Sequence, residues 1–337
     1  MKRYGHLWEK IIDPENLREA HRCARRGKAH YSEVQIIDRD PGRYVKSLHT
    51  MLEHELYRTS PYRHTTKIEG GKVREIYVLP YYPDRIVQWA VVRVLEPIWM
   101  STFTPFTYSS LKGRGIHAGL QDLQRALRDV EGTTYCLKTD IRKFYPSIDR
   151  ELMKSIVRRK LKDPRVLRLL DEVIDTAPST GVPIGNYLSQ YLGNLYLSPL
   201  DHWLKEVRGE SYCFRYCDDV VVLGPSKDEL HRLRRDMETY LRDELELELK
   251  GNWQVFPTKA RGIDFLGYRT FGDRTRLRKS TALRMKRRMR TLTVRGVMDE
   301  HARSTVASYR GWLQWCDAGG LERAYIEPTV ERLGGMA

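Results

Sequence analysis

The sequence predicts an α+β fold, because segments with the period of a helix alternate with segments that have the period of a strand. The apolar residues of 164–175 (PRVLRLLDEVID) recur at helical spacing, behind Asp163 as the N-cap and Pro164 at the first helical position. By contrast, 245–250 (LELELK) alternates leucine with charged residues, which is typical of a half-buried strand. Helices and strands are therefore both expected in the core.

Residues 212–250 predict half of a ferredoxin-like unit, in the order strand, turn, strand, helix, strand. The first two strands lie in 212–224 (YCFRYCDDVVVLG), on either side of Asp218 and Asp219. The helix covers 226–241, where one apolar stripe follows a capping box. Two adjacent aspartates in a hairpin have a simple structural explanation, since aspartate favours turns.

A further short strand is predicted upstream, ending at Asp140. A bend at Pro146 and a helix capped by Asp149 follow it. Beyond residue 270 the chain becomes strongly basic with sparse apolar positions, and helices are expected from there to the end. The sequence thus predicts a separate, positively charged C-terminal module.

Bulk composition favours a nucleic-acid partner. The 337 residues are enough for one large domain or two to three subdomains, and 41% of them are hydrophobic, which excludes a disordered chain. Lysine and arginine outnumber aspartate and glutamate by 59 to 44, for a formal charge of +15. Such an excess favours a polyanion. Because the basic residues are spread along the chain and not packed beside an apolar anchor, nucleic acid is preferred to a membrane surface.

The cysteines and the apolar segments predict a cytoplasmic protein. There are five cysteines, and no CxxC pair occurs among them, which argues against a disulfide framework and a zinc ribbon. The start of the chain has no apolar stretch typical of a signal peptide, and no window approaches 18 uninterrupted apolar residues. No membrane association is therefore expected.

Asp140, Asp218 and Asp219 are candidate metal ligands, if their strands are neighbours in one sheet. Phosphoryl transfer between nucleotides uses two divalent cations roughly 3.5–4 Å apart, which activate the attacking oxygen and stabilise the leaving one. Magnesium prefers carboxylate oxygens and keeps several waters, so a few aspartates at strand ends suffice. A phosphoryl-transfer site therefore competes with the turn as the explanation of the Asp-Asp pair.

Five segments between 72 and 269 resemble, in order, the motifs of reverse transcriptases. The resemblance implies a right-hand polymerase with fingers, a ferredoxin-like palm and a helical thumb. The matching segments are KVREIYVLPYYPDRIVQWAV (fingers motif), LKTDIRKFYPSI (first catalytic motif), GVPIGNYLSQYLGNLYLSPLD (template and nucleotide motif), FRYCDDVVVLG (Tyr-x-Asp-Asp box) and RGIDFLGYRT (primer grip).

Within that family, the chain resembles the reverse transcriptases of diversity-generating retroelements. Many bacterial relatives, including group II intron enzymes, carry Gln-Gly-x-x-x-Ser-Pro, whereas this chain carries IGNYLSQ at 184–190. The resemblance implies error-prone copying of a template RNA into cDNA, with errors at template adenines, for targeted diversification of a gene. It also implies a small, basic, oligomeric accessory variability protein as a partner.

The resemblance assigns roles to individual residues, each of which has a simpler structural alternative such as core packing or a solvated surface. Asp140, Asp218 and Asp219 are the implied catalytic carboxylates and the ligands of two Mg²⁺ ions, with Mn²⁺ as a substitute. Tyr145 is the implied aromatic gate against ribonucleotides, although Phe144 is one position away. The implied dNTP-binding residues are Lys72, Arg74, Ile141, Tyr145, Ile184, Gly185 and Gln190.

The primer, the template and the cDNA are the other implied ligands. One position departs from the family pattern: where many relatives have a lysine that can protonate pyrophosphate, this chain has Trp253, and Lys250 is out of register. The proton donor is therefore left unassigned. The implied primer and template contacts are Tyr216, Phe265, Leu266, Gly267, Arg284, Arg287 and Arg288.

Two alternatives to this function remain open at the level of sequence. One is a defence-associated or group II intron-derived reverse transcriptase, and the other is a non-enzymatic RNA-binding scaffold. The domain organisation that the resemblance implies is an N-terminal part of the fingers (1–105), the start of the palm with the first catalytic motif (106–149), a return to the fingers (150–182), the palm with the Tyr-x-Asp-Asp hairpin and primer grip (183–269) and a basic helical thumb (270–337).

Overall fold

A computed structural model of the chain describes residues 2–69, 72–176, 180–183 and 185–334, with the backbone only at 69, 72 and 74. Ile184, one of the expected dNTP-binding residues, lies outside the described residues. The chain divides into two compact units. The first unit comprises Met1–Leu111, Asp140–Arg208 and Asp236–Gly251, and the second comprises Lys112–Thr139, Gly209–Arg235 and Asn252–Ala337. The predicted boundaries of fingers, palm and thumb stay a prediction.

The helices account for most of the regular structure. In chain order they are α1 Trp8–Ile12, α2 Pro14–Ala24, α3 Ser32–Arg39, α4 Pro41–Glu53, α5 Ile86–Met100, α6 Ile116–Ala126, α7 Phe144–Ser147, α8 Arg150–Arg158, α9 Pro164–Asp175, α10 Tyr187–His202, α11 Lys227–Leu245, α12 Thr258–Arg261, α13 Lys279–Arg295, α14 Glu300–Leu313, α15 Gly319–Leu321 and α16 Glu327–Arg332. Wide π-type turns occupy Tyr81–Arg85, Trp203–Val207 and Glu322–Ile326.

The strands form three sheets among the described residues. One sheet pairs β1 with β2, a second has the order β4-β5-β3-β6, and a third has the order β7-β8-β9. The strands are β1 Arg63–Glu69, β2 Lys72–Val78, β3 Tyr135–Asp140, β4 Tyr212–Tyr216, β5 Asp219–Gly224, β6 Gln254–Pro257, β7 Ile263–Phe265, β8 Tyr268–Thr270 and β9 Thr275–Leu277.

The helical predictions are confirmed where the sequence carries caps. Helix α9 has the predicted bounds, and the Asp163 carboxylate accepts hydrogen bonds from the backbone N–H groups of Arg165 and Val166. In α8, Asp149 caps the helix by accepting from the N–H of Leu152. Helix α11 begins as predicted, where the hydroxyl of Ser226 accepts from the N–H of Glu229. These caps satisfy backbone donors that have no partner within a helix.

The predicted strand over 245–250 is wrong. Helix α11 continues to Leu245, because the apolar stripe of the helix extends to this residue, which is buried. The chain then turns at Glu246, which has a φ of 51°, and only Leu249 forms an isolated bridge, opposite Ile141. The alternation itself is real, since Leu247 and Leu249 are buried. Periodicity gave the correct buried face but not a regular ladder.

The basic C-terminal region is mainly helical, as expected, with one exception. Thr275–Leu277 forms β9, which pairs with β8. Beyond it, α13 buries Met285, Met289 and Leu292 along one side. The described part of the chain contains no helix that is long and apolar enough to cross a membrane.

Candidate active site

The Asp-Asp pair lies at the tip of a tight hairpin in the second unit. Tyr216 pairs with Asp219, so Cys217 and Asp218 form a two-residue turn, with a φ of 58° at Cys217. Positive φ angles are typical of two-residue hairpin turns. The strands on both sides are buried, including Phe214. The turn that carries the carboxylates is therefore fixed by core packing.

The remaining candidate aspartate stands at the end of β3. Strand β3 is the neighbour of β5 in the four-stranded sheet, and its last residue is Asp140. Near this end, the Nζ of Lys138 lies 3.6 Å from Oδ2 of Asp219. Lys138 also donates a hydrogen bond to the carbonyl of Asp264. Because side chains alternate along a strand, Lys138 and Asp140 project from the same face of β3.

Asp140 has its own lysine within the first unit. The Nζ of Lys250 lies 2.7 Å from Oδ2 of Asp140, and the backbone N–H of Lys250 donates to the carbonyl of Asp140. Lys250, which sequence reasoning set aside as out of register, therefore contacts an implied catalytic carboxylate. Trp253 packs elsewhere, with the Arg234 guanidinium 4.7 Å from its ring centroid.

The residues present fit magnesium by the chemistry of their donors. Asp140, Asp218 and Asp219 offer hard carboxylate oxygens, which Mg²⁺ prefers. The side chains of Asp140 and Asp219 are each 30% exposed, so they are open to a ligand. Within the described ranges, no group of three histidine, cysteine, aspartate or glutamate side chains already converges as a metal cluster.

The template and nucleotide motif is held against β2 in the first unit. Gly185 has a φ of 123°, and a Cβ built at this position would lie 2.5 Å from the backbone oxygen of Tyr77. Only glycine allows both this dihedral angle and this close approach. Next to it, the side-chain amide of Asn186 donates to the Tyr62 hydroxyl at 2.7 Å. Burial raises the pKa of Tyr62, which keeps its hydroxyl protonated.

Helix α10 begins within this motif, at Tyr187, and its first turn is capped by a residue from another helix. The Oε1 atom of Gln88, in α5, accepts a hydrogen bond from the backbone N–H of Tyr187 at 3.1 Å. The ring of Tyr187 stacks on Trp89, with centroids 4.0 Å apart. Sequence reasoning missed Tyr62, Tyr77 and Gln88 as supports of the motif, because their contacts are distant in sequence. Gln190 is exposed on the first turns of α10.

The structure distinguishes the two adjacent aromatic residues that follow Asp140. Phe144 is a buried core residue, whereas Tyr145 is half-buried. The Tyr145 ring lies 3.1 Å from the position that a Cβ on Gly193 would occupy, and its carbonyl accepts a hydrogen bond from the N–H of Val182. Ile141, which is buried, contributes packing at the end of β3.

The implied primer grip is a second tight hairpin. Leu266 and Gly267 form the turn between β7 and β8, with φ angles of 54° and 87°, a combination typical of a type I′ turn. Phe265 is 0% exposed and Leu266 is also buried. A Cβ on Gly267 would lie 2.6 Å from the Trp312 ring. Tyr216, at the end of β4, is half-buried.

The three implied thumb arginines do not share one environment. Arg284, Arg287 and Arg288 are exposed on α13. One guanidinium nitrogen of Arg288 lies 2.8 Å from Nε2 of His301. Arg287 instead lines a cavity between α13 and α16.

Comparison with protein families decides the class of the chain. The family model "Reverse transcriptase (RNA-dependent DNA polymerase)" matches residues 66–270. The chain belongs to the reverse transcriptase family. This match contains Asp140, Asp218 and Asp219, and it confirms the enzyme class expected from the sequence, an RNA-directed DNA polymerase.

Curated relatives of this reverse transcriptase include proteins encoded by introns. It is 27% identical to Protein YkfC of Escherichia coli, over 81% of this chain and 85% of that protein. It is 20% identical to the group II intron-encoded protein LtrA of Lactococcus lactis, over 76% of this chain and 53% of LtrA. It is 22% identical to nuclear intron maturase 4 of Arabidopsis thaliana, over 79% and 39% respectively. The chain thus spans about half the length of LtrA and less than half the length of the maturase.

Solved structures support the fold class. The apo telomerase of Candida tropicalis matches with a TM-score of 0.52 and 12% identity, over 68% of this chain and 50% of that one. A telomerase of Candida albicans, solved with a fragment of telomeric RNA, matches with a TM-score of 0.50 and 11% identity. This match covers 84% of this chain and 62% of the telomerase chain. The prediction of an α+β, right-hand polymerase fold is confirmed.

Proposed function

We propose that this chain extends a primer with dNTPs on an RNA template, and that Asp140, Asp218 and Asp219 hold two divalent cations for this reaction. The supporting observation is that neighbouring strands carry the carboxylates at their ends. Asp140 ends β3, and Asp219 begins β5. The contact of Lys138 with Asp219 supports the proximity of these strand ends.

Magnesium, with manganese as its substitute, would supply Lewis acidity at the attacking primer oxygen and at the leaving pyrophosphate. The protein contributes fixed carboxylates, because the turn at Asp218 is anchored by two buried strands. Lys138 and Lys250 balance the charge of Asp219 and Asp140.

The nucleotide is proposed to bind where the template and nucleotide motif meets β2. Gly185 brings the backbone of the motif against Tyr77, on the strand that also contains Lys72 and Arg74. A guanidinium suits the triphosphate because it can donate two parallel hydrogen bonds. Ile141, Ile184 and Gln190 complete the proposed site.

Tyr145 is the proposed gate that rejects ribonucleotides. Its half-buried ring can contact the sugar of a nucleotide, whereas the Phe144 ring is buried in the core. The hydrogen bond from Val182 to the Tyr145 carbonyl joins this residue to the segment that precedes Ile184.

Primer and template contacts are proposed at the two hairpins and on α13. Tyr216 adjoins the Asp-Asp turn, and the Leu266–Gly267 turn would contact the primer through its backbone, since Phe265 is buried. Exposed Arg284, Arg287 and Arg288 would contact phosphates of the primer–template duplex.

Replacing Asp140 or Asp218 with asparagine tests catalysis. We expect either variant to abolish Mg²⁺-dependent dNTP incorporation, because the carboxylate charge is lost while the shape is kept. RNA affinity, measured by filter binding, should change little. Asp243→Asn is a matched control, because Asp243 is exposed and pairs with the adjacent Arg242. Substantial incorporation by Asp218→Asn would refute the site, and normal RNA binding by a wild-type chain that incorporates no dNTP would favour a non-enzymatic scaffold.

The finer proposal is that the enzyme copies its template RNA with errors at adenines, as part of a diversity-generating retroelement. The IGNYLSQ form of 184–190 supports it. A polar side chain can form a hydrogen bond to a correctly shaped base pair and so increase the difference in transition-state binding free energy between correct and incorrect pairs. Isoleucine provides only apolar contact, which is worth about 1–3 kcal/mol of discrimination. A small, basic, oligomeric accessory protein is the proposed partner.

Ile184→Gln tests the fidelity proposal. We expect misincorporation opposite template adenine to fall more than misincorporation opposite the other three bases, even if synthesis slows. Deep sequencing of cDNA made by both enzymes on one defined RNA, with and without the proposed accessory protein, measures this. Equal adenine error rates in the two enzymes, or a uniform change over all four bases, would contradict it.

A second candidate is a group II intron-derived or defence-associated reverse transcriptase. The similarity to LtrA and to an intron maturase favours the intron class. Low error rates at template adenines in the wild-type cDNA would support this candidate over the first. For either candidate a cytoplasmic location is proposed, supported by five free cysteines.

A further inference from the structure

The second unit contains a basic cleft that the polymerase motifs do not include. Helix α13 lies on one side of it, and α16 with the preceding turn Glu322–Ile326 lies on the other, around a cavity of about 620 Å³. We name it the α13–α16 cleft. Its cationic lining residues are Lys286, Arg287, Arg290 and Arg332.

All charged residues that line the cleft are cations. No aspartate or glutamate lines it. Within the described residues 185–334, the side chains of Arg287, Arg290 and Arg332 form no ion pair. Elsewhere on α13, by contrast, Arg295 is paired with Asp299 at 2.6 Å. Cations that gather without carboxylates favour binding of a polyanion.

Helical geometry separates these cations from the remaining basic residues of α13. At 100° per residue, the buried stripe of Met285, Met289 and Leu292 divides the helix surface. Lys286 and Arg290 fall on one side of that stripe and line the cleft, whereas Arg284 and Arg288 fall on the other side. One helix therefore carries two basic faces, with Arg287 at the cleft rim.

An aromatic ring gives the cleft a second property. Tyr325 lines it, and the Nζ of Lys286 lies 4.5 Å from the centroid of the Tyr325 ring. Met289 and Thr329, which are both buried, form part of its floor. The exposed Val294 adds apolar surface beside the cations. The lining thus combines phosphate-binding groups with a ring on which a base can stack.

We propose that the α13–α16 cleft binds unpaired nucleotides of single-stranded nucleic acid, at a site separate from the polymerase carboxylates. Basic grooves with aromatic side chains bind single strands in this manner, since the cations neutralise phosphates and every base can stack. The cavity volume is in the range that accepts a small organic ligand. A duplex, whose major groove alone is about 12 Å wide, can contact only the rim. An acidic peptide would use the cations but leave Tyr325 without a stacking partner.

Binding of a fluorescein-labelled 12-nucleotide single strand, followed by anisotropy without dNTPs or divalent cations, tests this proposal independently of catalysis. For Arg290→Gln/Arg332→Gln, we expect the slope of log K against log salt to fall by about 1.4, at roughly 0.7 per phosphate on a single strand. Tyr325→Leu should weaken binding about tenfold with little change in that slope, because stacking and not charge is removed.

Two control pairs remove the same charge. Arg284→Gln/Arg288→Gln, on the other basic face, should reduce the affinity for a labelled duplex more than that for the single strand. Arg39→Gln/Arg43→Gln, on exposed positions of α3 and α4, should alter neither. RNA and DNA strands of one sequence, compared in parallel, show whether the 2′-hydroxyl contributes.

Three outcomes would overturn the proposal. One is equal loss of single-strand binding in the cleft pair and the Arg39/Arg43 pair, which would indicate a charge effect without a site. Another is an unchanged affinity of Tyr325→Leu whose circular dichroism spectrum matches the wild type. The third is a competition result in which polyglutamate displaces the oligonucleotide from the wild type at a lower concentration than unlabelled single strand does. If polyglutamate had no such effect on Arg290→Gln/Arg332→Gln, the cleft would be assigned to an acidic protein.

Discussion

The strand pairs β1–β2 and β4–β5 are both antiparallel, but they are stabilised in different ways. In β4–β5 the inner residues are buried, among them Phe214, Val221 and Leu223. In β1–β2 several apolar residues are exposed: Ile68 is 75% exposed and Val73 is 68% exposed, whereas Ile76 is half-buried. The register of β4–β5 is therefore fixed by a core, whereas that of β1–β2 depends mainly on backbone hydrogen bonds.

The difference matches the proposed roles. The β4–β5 hairpin carries Asp218 and Asp219, which must hold their positions for chemistry. The β1–β2 pair carries Lys72 and Arg74, which would contact a triphosphate that arrives and leaves. Its contacts with other segments of the first unit include the close approach of Gly185 to Tyr77 and the ion pair between Arg63 and Glu33 at 2.8 Å. The proposed catalytic groups thus lie on a packed strand pair, and the proposed triphosphate-binding groups lie on an exposed one.

The largest difference between the two strand pairs is expected in the free energy of unfolding, when one apolar residue in each pair is truncated. Leu223→Ala should lower the free energy of unfolding by about 2–5 kcal/mol, because it leaves a cavity in the core. Ile68→Ala should change it by less than about 0.5 kcal/mol, since Ile68 is solvated. Urea unfolding monitored by circular dichroism measures both. Similar costs for the two variants would mean that β1–β2 has a core of its own.

A smaller effect is expected from adding one methyl group at the contact that positions β2. In Gly185→Ala, the Cβ would clash with the backbone oxygen of Tyr77, and the alanine would have an unfavourable φ. This would introduce about 1–3 kcal/mol of strain, which β2 would relieve by moving away. We expect KM for dNTPs to rise about tenfold. Gly251→Ala is the matched control, because a Cβ there meets open space. Unchanged kinetics in Gly185→Ala would show that nucleotide binding does not depend on this contact.

The smallest effect is expected from a change that keeps charge on the exposed strand. Arg74→Lys retains one positive charge but loses the planar fork that can bond two phosphate oxygens. KM for dNTPs should rise about fivefold, or about 1 kcal/mol, while the affinity for template RNA stays constant. Arg43→Lys, at an exposed position of α4, serves as the control in the same steady-state assay. If kcat fell by a larger factor than KM for dNTPs rose, Arg74 would instead act in the chemical step.

Local sequence signals predicted much of the fold. Capped, strongly periodic segments such as α9 were predicted to the residue, since caps and periodicity act within one helix. The LELELK segment was predicted wrongly as a strand, because a ladder needs a partner and only Leu249 has one. The hairpin that carries Asp218 was predicted from two apolar runs around a turn, and its register confirms the pattern.

Contacts between distant residues were the part that sequence could not supply. The motif at Gly185 was recognised, but its supports Tyr62, Tyr77 and Gln88 were not, since each lies about a hundred residues away from its partner. Lys250 was rejected by its register relative to the family motif, yet its side chain reaches Asp140. Backbone geometry beyond the motif decides that contact.

The sequence by itself determined the class of the protein, because the order and spacing of its polymerase motifs are properties of the chain. It also determined the basic character of α13, since net charge depends only on composition. Tertiary structure alone decided which cations share a surface: Arg290 of α13 and Arg332 of α16 line one cleft, while Arg288 lies beside His301. The physical reason is that charge is additive along a sequence, whereas a binding site needs its groups to meet at one point, and only packing brings them there.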